Sequence, residues 1–135
     1  MKKFVLPGVF ISIILCACNT THKKLHEKIA GTDSIAINYF KGDGSMDTVL
    51  AVKIIRDKKE VVQLTDLITA SSTSLQDDCG YDGSIHFFKN NAVLQDIYFR
   101  MQGDRCSQFT FLLNGNRAAT ALSADAKKML EEWKK

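Results

Sequence analysis

Alternation of apolar and polar positions dominates this chain after residue 33, and alternation is the mark of strands with one buried face. Ser34 to Lys41 (SIAINYFK) places Ile35, Ile37 and Tyr39 on one side. Gly42-Asp43-Gly44-Ser45 is a turn signal, and Thr48 to Arg56 (TVLAVKIIR) follows with Leu50, Val52 and Ile54 as its apolar set. The two segments predict a hairpin. The period then changes. Asp57, followed three residues later by Glu60, forms a D-x-x-E capping box. Val61, Leu64, Thr65 and Ile68 then fall on one stripe, widened by Leu67, and predict a helix from about Lys58 to Ala70 that Ser71-Ser72-Thr73-Ser74 ends.

Four more strands are predicted. Gly83 to Lys89 alternates Ile85 and Phe87 against His86 and Phe88. After Asn90-Asn91, Ala92 to Met101 puts Val93, Ile97, Phe99 and Met101 on one face. Gly103-Asp104-Arg105 breaks the chain, and Cys106 to Leu113 sets Phe109, Phe111 and Leu113 against Gln108 and Thr110. Asn114-Gly115 tolerates positive φ at both positions and predicts a tight hairpin back into Asn116 to Leu122. Ser123 caps a last helix with the stripe Ala126, Met129, Leu130 and Trp133, and Lys134 and Lys135 suit its C-terminal dipole.

The element order is ββ-α-ββββ-α. It predicts an α+β domain in which an antiparallel sheet of about five to six strands is covered on one face by two helices. At the level of element order this resembles the TATA-binding-protein-like fold with one extra leading strand. The resemblance implies an architecture and no DNA binding, because fold does not carry function.

Ahead of these elements lies a different pattern. Met1-Lys2-Lys3 is basic, Phe4 to Leu15 is apolar apart from Pro7, Gly8 and Ser12, and Ala17 is small. That is a secretory leader, too short to span a membrane as a helix. Leu15-Cys16-Ala17-Cys18 matches the bacterial lipobox, with Cys18 as the lipidated residue. Bulky Leu15 before Cys16 disfavours cleavage there. An ordinary secretory signal cut near Ala17 would instead leave Cys18 a free thiol. The chain thus resembles small bacterial cell-envelope lipoproteins, a type with no established activity. The resemblance implies acyl chains on Cys18, enough for stable anchoring where one chain would not suffice. It implies removal of residues 1–17, a flexible tether over residues 18–32, and a single domain over 33–135. Asn19 lacks the retention aspartate, which points to the outer membrane, facing the periplasm. The tether reading takes His22 and His26 as solvated.

The leader changes the charge. The chain has 18 basic and 15 acidic side chains, and Lys2 and Lys3 leave with the leader, so the mature chain carries a net charge of +1. That excludes an electrostatic case for nucleic-acid binding. It also changes the cysteine count. With Cys16 removed and Cys18 acylated, Cys79 and Cys106 remain, and export makes a disulfide between them the default. Cys79 lies a few residues before its strand, so its loop must fold across the end of the sheet.

Asp77-Asp78-Cys79-Gly80-Tyr81-Asp82 gathers three carboxylates without calcium-loop spacing, and reads as a solvated acidic loop. Arg105 is placed to pair with one of them. His86 has no nucleophile–base pairing legible in the sequence. Phe40, Phe88 and Tyr98 have the parity of the uncovered sheet face, where aromatics could meet a partner. No nucleotide, zinc or serine-hydrolase signature occurs. The reading is therefore a non-enzymatic binding or assembly module without cofactor or metal, held to the membrane by its N-terminal lipid and partnered by another envelope protein. The alternative is an inhibitor or immunity protein against a secreted enzyme or toxin. A hydrolase with a scattered site is a third reading, and requires a deep pocket of convergent polar groups.

Overall fold

The computed structural model describes residues 20–43 and 46–135. The expected leader and the expected lipidation residue Cys18 lie outside the described residues. The elements are α1 (Thr21–Ile29), β1 (Ser34–Phe40), β2 (Val49–Ile55), α2 (Lys58–Ile68), β3 (Ser72–Thr73), β4 (Gly83–Lys89), β5 (Ala92–Arg100), β6 (Gln108–Leu113), β7 (Asn116–Ala121) and α3 (Ala124–Lys134). All seven strands join one antiparallel sheet in the order β2-β1-β4-β5-β6-β7-β3. The α+β class and the order of the expected elements hold. The sheet has seven strands rather than five or six, and a third helix precedes β1.

Local chemistry accounts for the boundaries. The Asp57 carboxylate accepts the Glu60 N–H at 3.0 Å, and the Ser123 hydroxyl accepts the Ala126 N–H at 3.2 Å, so both expected caps form. Asn90, Asn91, Asn114 and Gly115 all have positive φ, which gives the two hairpins the twist their strands need. The core lies between the sheet and the helices. Ile35, Ile37 and Tyr39 meet Ile85, Phe87, Ile97, Phe99, Phe109 and Phe111 beneath Leu64, Ile68 and Leu130. The Tyr39 hydroxyl donates to the Leu130 carbonyl at 2.7 Å, which satisfies its one buried polar group and pins α3.

Three expectations are corrected. Residues 21–29 are a helix and not a tether, because Leu25 and Ile29, four apart, are fully buried in the core. A nine-residue helix is marginal alone, and this one exists by packing. His22 donates its backbone N–H to the Ser72 hydroxyl at 3.1 Å and places Nδ1 2.8 Å from the same oxygen. His26 lies 3.6 Å from Asp66 on α2. Neither histidine is simply solvated, and the folded domain begins before residue 33. The second correction concerns β2. Its buried residue is Ile55, with Ala51 packed against the core, while Leu50, Val52 and Ile54 face solvent. Pairing with β1 sets this parity, since Ile54 lies opposite Ala36 and Val52 opposite Asn38, away from Ile35 and Ile37. The third is β3, two residues long, which pairs Ser72 with Thr120 and Thr73 with Ala119. No periodicity is legible in two residues.

Candidate functional site

The sheet face opposite the helices is divided in two. Over β6 and β7 it is covered by the segment 74–82. Gln76 and Gln108 exchange two hydrogen bonds, the Gln76 N–H donating to Oε1 at 3.0 Å and Gln108 Nε2 to the Gln76 carbonyl at 2.7 Å. Arg117 Nη1 reaches Asp77 Oδ1 at 2.7 Å, and the Tyr81 ring lies 5.0 Å from that of Tyr98. Arg117 is held charged above its ordinary range by its hydrogen bonds to Asp77 and Tyr81. The Cys79–Cys106 disulfide closes this strap, with Cα atoms 5.6 Å apart. Gln108, Thr110 and Ala119 are buried beneath it although they point away from the helices.

The acidic segment is therefore not a uniform solvated loop. Asp82 is buried. Its Oδ1 accepts from Arg100 Nη1 at 2.9 Å and its Oδ2 from the Met101 N–H at 2.7 Å. Among the described residues Arg105 makes no ion pair. The arginines that meet this segment are Arg100 and Arg117, brought there by strands β5 and β7. Asp78 is exposed, with φ of 63° at the turn before Cys79. Of the three aromatics expected on the open face, Tyr98 is half-buried against Tyr81, Phe88 is half-buried, and Phe40 is buried beside the β1 bulge but outside the main core cluster.

Over β1, β4 and the start of β5 the face is uncovered by the strap and carries a polar chain. His86 Nδ1 lies 2.6 Å from Asp96 Oδ1, its cross-strand partner. Nε2 lies 3.0 Å from Ser84 Oγ and 3.1 Å from Asn38 Nδ2. Assigning the proton to Nδ1, toward the carboxylate, leaves Nε2 to accept from the Ser84 hydroxyl. His86 does pair with a hydroxyl and a carboxylate, a relation sequence reasoning missed because the carboxylate, Asp96, comes from the neighbouring strand β5 while Ser84 shares β4 with His86. The order of atoms is that of a hydrolase triad, but the surroundings are not. Ser84 is 3 % exposed. The backbone of β4 is engaged by β1 on one side and β5 on the other, so no N–H pair is free beside Ser84 to hold an oxyanion. The arrangement works as a strut of hydrogen bonds that fixes side chains on a sheet face.

Beyond this strut the face ends at β2, which among the described residues has only β1 as a neighbour. Leu50, Val52 and Ile54 are exposed to 58 %, 59 % and 46 %. Met46 and Val49 extend the apolar surface at the strand's start. Among the described residues no cluster of His, Cys, Asp and Glu could hold a metal ion, and no helix is long and apolar enough to cross a membrane. No family model matches the chain, and neither a curated protein nor a solved structure is similar to it.

Proposed function

We propose that this chain is a lipid-anchored envelope protein whose domain is a non-enzymatic binding or assembly module, and that β2 is its contact strand. The observation that carries this reading is the row Leu50, Val52 and Ile54, 46–59 % exposed on a strand that is the sheet's edge among the described residues. Folded proteins blunt such edges with charge, proline or cover, because an unpaired apolar strand recruits other chains. Here the row points to solvent with polar Asn38 and Ser84 behind it. The partner is an envelope protein that lays an apolar strand or face against β2.

Lipidation of Cys18 gives this contact an orientation. Only Asn19 and Thr20 separate Cys18 from α1, whose Leu25 and Ile29 are core residues. Such a leash spans about 10 Å. The anchored domain therefore sits at the bilayer surface and meets partners in or on the same membrane.

A photo-crosslinking residue at Val52, expressed in native membranes, tests the reading, with the same residue at exposed Lys128 of α3 as control. The expected result is one envelope protein captured from Val52 only, and lost when Leu50 and Ile54 are changed to Glu. Equal capture at both positions, or none at Val52, would overturn the contact surface. Mass spectrometry showing an unmodified Cys18 would overturn the anchor.

A further inference from the structure

The edge of β2 offers main-chain groups as well as side chains. Along β1 the main-chain groups alternate sides. The Phe40 N–H donates to the Asp82 carbonyl, on the β4 side, at 2.8 Å, and the Lys41 N–H donates to the Thr48 carbonyl, on the β2 side, at 3.1 Å. Ile35, Ile37 and Tyr39 share the parity of Lys41, so they bond their partners Ile55, Lys53 and Ala51. Val52 and Ile54 therefore turn their N–H and C=O groups outward, where among the described residues no strand meets them. Their side chains are exposed as well. Main-chain hydrogen bonds and apolar contacts, the two components of strand addition, are thus offered by the same residues.

The place of the anchor and the order of residues in β2 limit what can pair there. The His22 N–H donates to Ser72 Oγ, so α1 starts beside β3, at the opposite edge of the sheet. Six strand spacings, about 29 Å, separate β3 from β2. Cys18 and Asn19 are too short a segment to cover that distance. The strand itself, VLAVKII, is close to self-complementary. Laid antiparallel to a copy of itself about a two-fold axis at Val52, it sets Val52 against Val52, Leu50 against Ile54 and Ala51 against Lys53. Lys53 is the single charge from Val49 to Ile55, and in this register it faces a small neutral residue. An axis at Lys53 would set two ammonium groups opposite each other. An axis at Ala51 would leave Ile54 opposite Thr48.

We infer that β2 pairs with β2 of a second copy of this chain about a two-fold axis at Val52, making one continuous sheet across two domains. The inference rests on β2 being the contact strand proposed above, and names its partner. The two-fold axis of such a pair stands normal to the sheet, so both copies keep their helices on one side. α1 lies on that side, with Leu25 and Ile29 in the core. Two chains anchored through Cys18 can therefore enter one bilayer and still join at β2. Stacking of the open faces would cover the same apolar row, but it would turn the two helix layers to opposite sides, out of reach of a two-residue leash.

The test is thiol crosslinking of the full chain in native membranes with a short bifunctional reagent. Cys79 and Cys106 are bonded to each other, and the parent chain controls for any other thiol. At the axis the two Val52 Cα atoms stand about 5.5 Å apart, so Val52→Cys should give a covalent dimer of this chain alone. Leu50→Cys by itself should not crosslink, because its mate lies four residues along the strand, about 13 Å away. Leu50→Cys copies co-expressed with Ile54→Cys copies should crosslink to each other. Val52→Glu, a change at an exposed position, sets two carboxylates at the axis and should cut the yield of that mixed dimer about tenfold or more. Equal yields from Leu50→Cys alone and from the mixture would overturn the register and the two-fold axis. The photo-crosslinking residue at Val52 separates this inference from the reading it rests on. An adduct with a different protein and no Val52→Cys dimer would overturn the second copy and leave β2 as the contact strand. Neither adduct nor dimer would overturn both.

Discussion

Gly83 is where the packing of this sheet is least forgiving. It lies in β4 between Tyr39 of β1 and Phe99 of β5, and the Phe99 ring covers it. A methyl group added there would run into the Asn38 carbonyl oxygen and the Phe99 ring, with Phe99 Cε1 at 2.6 Å against an ordinary contact of at least 3.4 Å. Neither can give way cheaply. The carbonyl belongs to β1 and moves only if the β1–β4 ladder opens. The ring is fully buried and packs edge-on against Tyr39 at 5.9 Å. Overpacking of this kind costs about 3 kcal/mol. The reduced freedom of the unfolded chain returns about 0.4–1 kcal/mol. Gly83→Ala should therefore destabilise the domain by about 2 kcal/mol or more. The assay is equilibrium urea unfolding followed by the fluorescence of Trp133, the single tryptophan, which packs against the core. With a slope of about 1–2 kcal/mol per molar the midpoint falls by about 1–2 M. Gly31→Ala is the control, since its added methyl meets only the flexible Lys89 side chain, at 3.2 Å from Nζ. Equal midpoints for the two variants would refute the steric argument.

Other consequences are open to the same assay. Reduction of Cys79–Cys106, which closes a loop of 27 residues, should cost about 3.5 kcal/mol on the chain-entropy model; an unchanged midpoint in reductant would show that the strap is held without it. Asp82→Ala strands the Arg100 guanidinium and the Met101 N–H, and should cost about 3 kcal/mol, whereas Asp77→Ala at the exposed Arg117 pair should barely move the midpoint. Burial pushes the Tyr39 phenol above its ordinary value. Because the unfolded chain loses this proton first, stability is full below about pH 10 and falls as pH rises beyond it, by up to about 1.4 kcal/mol per pH unit. Tyr39→Phe should flatten that alkaline loss, which pH-dependent unfolding would detect.

Much of the architecture was legible along the chain, because it is decided by neighbours in sequence. The caps at Asp57 and Ser123, the Asn90-Asn91 and Asn114-Gly115 turns, and the alternation in β1, β4, β6 and β5 from Ile97 onward each rest on a few adjacent residues, whereas Val93, expected on the face of Ile97, is exposed because a bulge shifts the β4–β5 register before Gln95. The Cys79–Cys106 pairing followed from cysteine count and expected compartment, and it forms. The rest depends on partners far away. The helix α1 has only Leu25 and Ile29 to declare it, and becomes a helix because the core accepts them. In β2 both parities carry apolar residues, and the one with Lys53 reads as the more polar, so pairing with β1, and not the pattern, chose Ile55 for the core and left Leu50, Val52 and Ile54 outside. Asp82 looked like one of three solvated carboxylates until the fold carried Arg100 to it. The strut through Asn38, Ser84, His86 and Asp96 likewise arises only when three strands stand side by side. Local order is written in short-range sterics and hydrogen bonding, whereas a site is a set of long-range neighbours that chain closure alone brings together.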